Sequence, residues 1–230
     1  ENYNIKTTSL EKIKYLAFPR PRLVIENSKF VMGKENKIKI NSKKIYLYLN
    51  LKELYQVKNL SLKEIKIKNS EIEIQGKNFE GLFNYFSNLN KKIDIKNSKI
   101  KIFNDDKKIV ELKKINLDNK KKGTIYLNGE YAEKFFFAIF KNNKKENKLD
   151  INFKDIGLKA ILIFKKGSNF KESSGNARIN FFKNRIKFDF DFKDKVILKN
   201  SKLINENFST TFNGIFDYKP YLNFDLDLNL

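Results

Sequence analysis

Histidine, cysteine and tryptophan are absent from this 230-residue sequence. Their absence excludes thiol nucleophiles, imidazole general bases, disulfides and every Cys/His zinc site. It also removes the redox argument for compartment. Proline occurs only at Pro19, Pro21 and Pro220, and no Ser/Gly-rich stretch marks a linker between domains. Arginine is limited to Arg20, Arg22, Arg178 and Arg185, which form no single block. No run of about 18 apolar residues occurs, so nothing here spans a membrane as a helix. No stretch has the layout of a signal peptide. The chain begins at Glu1 rather than methionine, so an earlier segment is expected. A Gly-rich phosphate loop is also missing, and with it any nucleotide-driven energy source.

What is present is charge and alternation. Apolar residues make up 40%, enough for a core. Net charge is +21, from 48 Lys+Arg against 27 Asp+Glu. One reading is an anionic partner, nucleic acid or lipid headgroups. The other is compositional: Lys, Asn, Ile and Phe flood the chain, as in an AT-rich genome. Nucleic-acid readers favour the arginine fork, and base stacking needs exposed aromatics. The phenylalanines here alternate as buried residues do, so no nucleic acid is expected.

Most of the sequence alternates apolar and polar with period two, the pattern of strands with one buried face. Clear runs include "KIYLYLNL" (44–51), "LSLKEIKIK" (60–68), "LKAILIF" (158–164), "RIKFDFDF" (185–192) and "LNFDLDLNL" (222–230). Fifteen such runs with brief turns predict an all-β fold, a long antiparallel meander. The segment "FFFAIF" (135–140) reads as a buried strand, and "NDDKK" (104–108) as a hairpin turn. Two short helices are expected in the N-terminal part. One is 7–18, where Thr8 and Glu11 have capping-box spacing and Leu10, Ile13 and Leu16 share a helical face. The other is 78–90, with Leu82, Phe83, Phe86 and Leu89 on one stripe. The final run alternates up to Leu230, so the chain is expected to continue as a longer protein.

One unit is written twice. "EIKIKNSEIEIQG" (64–76) and "KKIDIKNSKIKIF" (91–103) each place Asn-Ser between two isoleucine pairs. Asn-Ser recurs at 27–28 and 200–201. If Asn69-Ser70 is a two-residue hairpin loop, Ile67 meets Ile72 and Ile65 meets Ile74, with Lys opposite Glu between them. If it is instead a bulge inside one long strand, parity flips and both isoleucine pairs again share a face. Both geometries fit.

No carboxylate constellation suggests catalysis. Every Asp and Glu lies among lysines at positions the alternation marks as exposed, whereas acid–base chemistry needs a perturbed environment. Asp189, Asp191 and Asp194, or Asp225 and Asp227, could share a strand face and hold calcium. A solvated face paired with lysines explains them equally, and no glycine-rich calcium loop accompanies them. The expectation is therefore no enzyme, no cofactor and no metal.

The order of the pieces is also informative. "LAFPRPRLVIENSKF" (16–30) is similar to the P-x-P-x-L opening of the AsmA family of bacterial envelope proteins. Residues 45–86 resemble its next block, ending at Gly81-Leu82-Phe83-Asn84. The segment "KIDIKNSKIKIFNDDKKIVELKKINL" (92–117) resembles the hairpin that follows, and "GTIYLNGEYAEKFFFAIF" (123–140) the strand pair after it. The likeness covers about residues 16–140. It departs in lacking the membrane-spanning helix, and in carrying Asn-Ser where the family has Pro or Gly.

The resemblance implies one curled β-sheet over residues 1–230, forming an apolar groove. It implies a periplasmic protein held to the inner membrane by an anchor outside this sequence. The implied partners are phospholipid and membrane, and the implied role is lipid transport in outer-membrane biogenesis. The candidate lipid-binding lining is Ile65, Ile67, Ile72, Ile74, Ile93, Ile95, Ile100 and Ile102, with Phe188, Phe190 and Phe192 further on. The competing reading makes these the core of a closed β-sandwich, a structural or adhesion-like protein whose lysines meet anionic polymers.

Overall fold

The computed structural model describes residues 5–32, 38–50, 62–75, 91–104, 106–143, 146–165, 173–192, 195–217 and 223–229. The chain divides into two compact units, Glu1–Glu133 and Lys134–Leu230. The first holds β1 (Ile5–Leu16), β2 (Arg22–Met32), β3 (Ile38–Leu49), β4 (Leu62–Gln75), β5 (Lys92–Asn104), β6 (Lys107–Lys121) and β7 (Thr124–Tyr131). The second holds β8 (Lys134–Asn142), β9 (Glu146–Phe153), β10 (Leu158–Lys165), β11 (Ser173–Phe181), β12 (Asn184–Phe192), β13 (Val196–Ile204), β14 (Ser209–Asp217) and β15 (Asn223–Asn229). Within each unit the sheet order is the chain order, and neither order closes into a ring. The protein is all-β and a meander, as the alternation predicts.

The structure corrects the helix expected over 7–18: residues 7–16 belong to strand β1, which pairs with β2. The three-residue spacing of Leu10 and Ile13 imitates a helical stripe. It arises because both residues face a strand that changes parity between them: Leu10 pairs with Ser28 and Ile13 with Ile25, across Asn27. The helix expected over 78–90 lies outside the described residues. Among the described residues the helical content is one 3-10 turn, Lys154–Ile156.

Asn-Ser is not a hairpin loop. Asn69-Ser70 lies inside β4, Asn97-Ser98 inside β5, Asn27-Ser28 inside β2 and Asn200-Ser201 inside β13. The four asparagines take left-handed φ values of 52°, 47°, 48° and 50°. Asn tolerates that region better than other residues with a Cβ. One such residue in a strand changes which face the following side chains take, so the apolar positions shift from odd to even numbers. The repeat "K-N-S" adds a second element. The Ser70, Ser98 and Ser201 hydroxyls donate to the carbonyls of Lys68, Lys96 and Lys199, two residues back, at 3.3, 3.1 and 3.3 Å. The hydroxyl thus satisfies a carbonyl next to the residue the ladder skips.

The meander is not antiparallel throughout. β4 and β5 run parallel with a constant offset of 28 residues, as in Ile65↔Ile93 and Ile102↔Ile74. The written repeat therefore lies beside itself. Like residues meet like on the apolar face, while Glu64 meets Lys92, Lys66 meets Asp94 and Glu73 meets Lys101 on the other. A parallel pair needs a crossover of a dozen or more residues, and positions 76–91 supply that length.

Candidate functional site

In the first unit the register assembles apolar rows that cross the strands. Ile25, Ile45, Ile67, Ile95, Leu117 and Leu127 form one, extended by Ile13 on β1. Phe30, Ile40, Ile72, Ile100, Leu112 and Tyr131 form a second. Between them runs a serine row, Ser28, Ser42 and Ser70, continued by Ser98. All four serines are buried, and Ser70 Oγ donates to Ser42 Oγ at 2.7 Å. Among the described residues Ser28 Oγ is buried with no hydrogen-bond partner. Small hydroxyls here let the kinked strands approach across the apolar face. Sequence reasoning saw the Asn-Ser repeats but missed this role; the signal was Ser recurring on the carboxyl side of every such Asn.

The predicted lining residues of this unit do come together. Ile72, Ile74, Ile93, Ile95 and Ile100 are 1–5% exposed, and Ile65, Ile67 and Ile102 are half-buried. Exposure rises toward β1, where Ile13 is 55% and Leu10 40% exposed. Among the described elements of this unit, the extensive contacts join neighbouring strands of one sheet.

The phenylalanines belong to the second unit. Phe190 is buried and Phe188 half-buried, with ring centroids 6.4 Å apart. Phe190 also meets Phe164 edge-on at 5.4 Å, over Gly175, which pairs with both. Phe192 ends β12 opposite Ser173 and Val196. The "FFFAIF" strand is buried at Phe136 and Ala138 only; Phe135 and Phe137 are 49% and 37% exposed.

The opposite face of the first unit is charged and largely self-paired. Lys92 bonds Glu64 at 2.8 Å, Lys66 approaches Asp94 at 3.3 Å and Lys14 bonds Glu26 at 3.0 Å. Lys66 and Lys68 also sit over the rings of Tyr48 and Tyr46. The hydrogen bond from Lys14 lowers the Glu26 pKa, and that from Lys108 lowers Glu111; burial opposes both. The hydrogen bond to Glu71 raises the Lys101 pKa, and desolvation opposes it.

These shifts set a pH window. The carboxylates are depressed on folding, so their contribution is present above the unfolded carboxylate range and is lost as pH falls through their folded values. Lys101 is raised, so its contribution is present below the ordinary lysine value and is lost as pH rises through the folded one. No histidine or cysteine side chain titrates between. The melting temperature is therefore expected to stay flat from about pH 5.5 to about pH 9, falling on both sides. A scanning-calorimetry pH series that found a step near pH 6.5 would contradict this assignment.

Of the acidic alternations, Asp194 lies outside the described residues. Asp191 pairs with Lys199 at 2.7 Å, and Asp189 accepts from Asn200 Nδ2 at 2.9 Å. Among the described residues no three acidic side chains gather as a metal site. Comparison with protein-family models, with curated proteins and with solved structures finds no match.

Proposed function

We propose that this chain is a non-enzymatic envelope protein that shields phospholipid acyl chains along the apolar face of its first unit. In this reading it contributes to lipid transport between the inner and outer membranes. The observation that carries the reading is the continuity of the apolar rows. The row from Ile13 to Leu127 crosses seven strands, about 29 Å at the usual strand spacing. It runs from a half-exposed residue to fully buried ones. An alkyl chain needs such a strip and no polar partner. Each methylene removed from water contributes roughly 0.8 kcal/mol, so one acyl chain gains on the order of 10 kcal/mol before ordering costs. The likeness of residues 16–140 to the AsmA family supports the same reading, and with it a periplasmic location at the inner membrane.

The test is native purification followed by lipid mass spectrometry, with a photoreactive residue placed singly at Ile13, Ile67 or Lys68. Phospholipid adducts at positions 13 and 67, and none at 68 on the charged face, are the expected result. Folded protein that carries no lipid and forms no adduct at any position would end the proposal. It would favour the structural, polymer-binding alternative. An Asp substitution at Ile95 is unsuitable as a control, because its 1% exposure couples loss of lipid to loss of fold.

A further inference from the structure

The turns at one edge of the second unit carry exposed phenylalanines. Phe181 pairs with Asn184, so Phe182 and Lys183 alone form the β11–β12 turn. Phe182 is 72% exposed and has φ +51°, a left-handed conformation suited to Asn or Gly. Its ring meets Phe181 edge-on at 4.6 Å, yet the left-handed backbone disfavours phenylalanine there and most of the ring faces solvent. Neighbouring turns sit beside it. The Phe182 ring reaches Gly157 after the 3-10 turn; Asn184 accepts from Asn205 Nδ2 at 2.6 Å, and Lys183 pairs with Glu206 at 2.7 Å. Phe208 in that last turn is 48% exposed. Phe135, 49% exposed, donates its N–H to Asp155 of the 3-10 turn.

Behind this aromatic edge lies a row of cations, with Asp189 two residues beyond Lys187 on the same strand face. Arg178, Lys187 and Lys202 are direct cross-strand neighbours on β11, β12 and β13. All three are exposed, and no acidic partner joins them among the described residues. Like charges placed side by side destabilise a sheet. Nearer the turn, Lys159 and Arg185 flank Asn180, both exposed. At the usual strand rise, Arg185 lies about 3 Å and Lys187 about 10 Å inward of the closing pair. That is the depth order of a membrane interface: rings at the acyl boundary, guanidinium and ammonium groups among the headgroups.

We propose that this edge docks on a bilayer containing anionic phospholipid, with Phe182 and Phe208 inserted and the Arg178–Lys187–Lys202 row on headgroup phosphates. Nucleic acid fits less well, because bases stack on rings set among the cations, and here the rings stand at the turn tips. The docking edge is independent of whether the first unit's apolar face holds lipid.

The test uses the full chain in cosedimentation with vesicles of phosphatidylcholine alone, or mixed in equal parts with phosphatidylglycerol. The chain is expected to bind the mixed vesicles more tightly than the neutral ones. The triple variant Arg178→Gln, Lys187→Gln, Lys202→Gln should lose about a hundredfold in that binding. Phe182→Asn should bind several-fold more weakly while staying folded, since Asn fits the left-handed φ and the ring it removes is 72% exposed. Unchanged binding of both variants would overturn the proposal, as would a wild type that binds neither vesicle. A single-stranded oligonucleotide bound by the wild type and lost by the triple variant, with vesicle binding unaffected, would reassign the row to nucleic acid.

Discussion

Inserting one alanine between Asn97 and Ser98 is expected to unfold the first unit, whereas Asn97→Gly should leave it folded. Asn97 is the left-handed residue between Ile95 and Ser98. It takes up one position of the alternation, and an extra extended residue after it is not taken up. Pairing before the kink then forces Ile100 and Ile102 onto the charged face, and Lys99 and Lys101 onto the apolar one. A one-residue slip flips every later side chain in this way. Ile100 is 5% exposed, and its row neighbours Ile72 and Leu112 would lose it. Two isoleucines expelled and two lysines brought in cost on the order of 5 kcal/mol or more. That is comparable to the whole stability of a domain. Asn97→Gly keeps the permitted φ and loses the 2.8 Å hydrogen bond to Asn69 Oδ1, about 1 kcal/mol. Asn97→Ala adds the left-handed penalty, about 1–2 kcal/mol more. Urea melts of the three variants measure the order, and an insertion variant as stable as Asn97→Gly would refute the parity account.

The second large effect is expected at Gly175. A Cβ built there falls 2.0 Å from the Ile163 carbonyl oxygen and 2.7 Å from Phe190 Cζ. The first contact is backbone, so β10 and β11 must part, and the second is a ring already buried against Phe164. Gly175→Val should destabilise the second unit by about 3 kcal/mol, through overpacking and the lost aromatic contact. Gly157 provides the contrast. An added Cβ there meets nothing closer than 3.8 Å, and only its φ of +61° objects. Gly157→Ala should cost about 1 kcal/mol. Thermal melts followed by near-ultraviolet circular dichroism would report both, and equal losses at the two sites would show that backbone strain rather than space governs Gly175.

Much of the fold was legible because alternation is local. The β-strands, their apolar faces and the Asn104–Lys107 turn could be read from period two and a few turn residues. Leu10 and Ile13 misled for a physical reason: a kinked strand and a helix both place apolar residues three apart. The Asn-Ser units were undecidable locally, since a hairpin and an in-strand kink satisfy the same pattern. Only neighbouring strands decide, by offering Ser42 and Ser98 to Ser70. The parallel pair was also latent. The 28-residue offset and its complementary charges stood in the text, but which copy lies beside which depends on a crossover. The surface carrying Phe182 and Arg178 was invisible, because exposure at a turn is a property of packing.

By itself the sequence determined that this is an all-β protein with one apolar and one charged strand face, and without the side chains for thiol or imidazole catalysis. Those conclusions follow from residue type and period, which need no partner. The tertiary structure alone decided the strand neighbours, the parity flips at Asn27, Asn69, Asn97 and Asn200, and the gathering of cations behind the aromatic turns. Each of these depends on side chains far apart in the chain meeting across a sheet, and the energy that selects one register exists only when the strands are side by side.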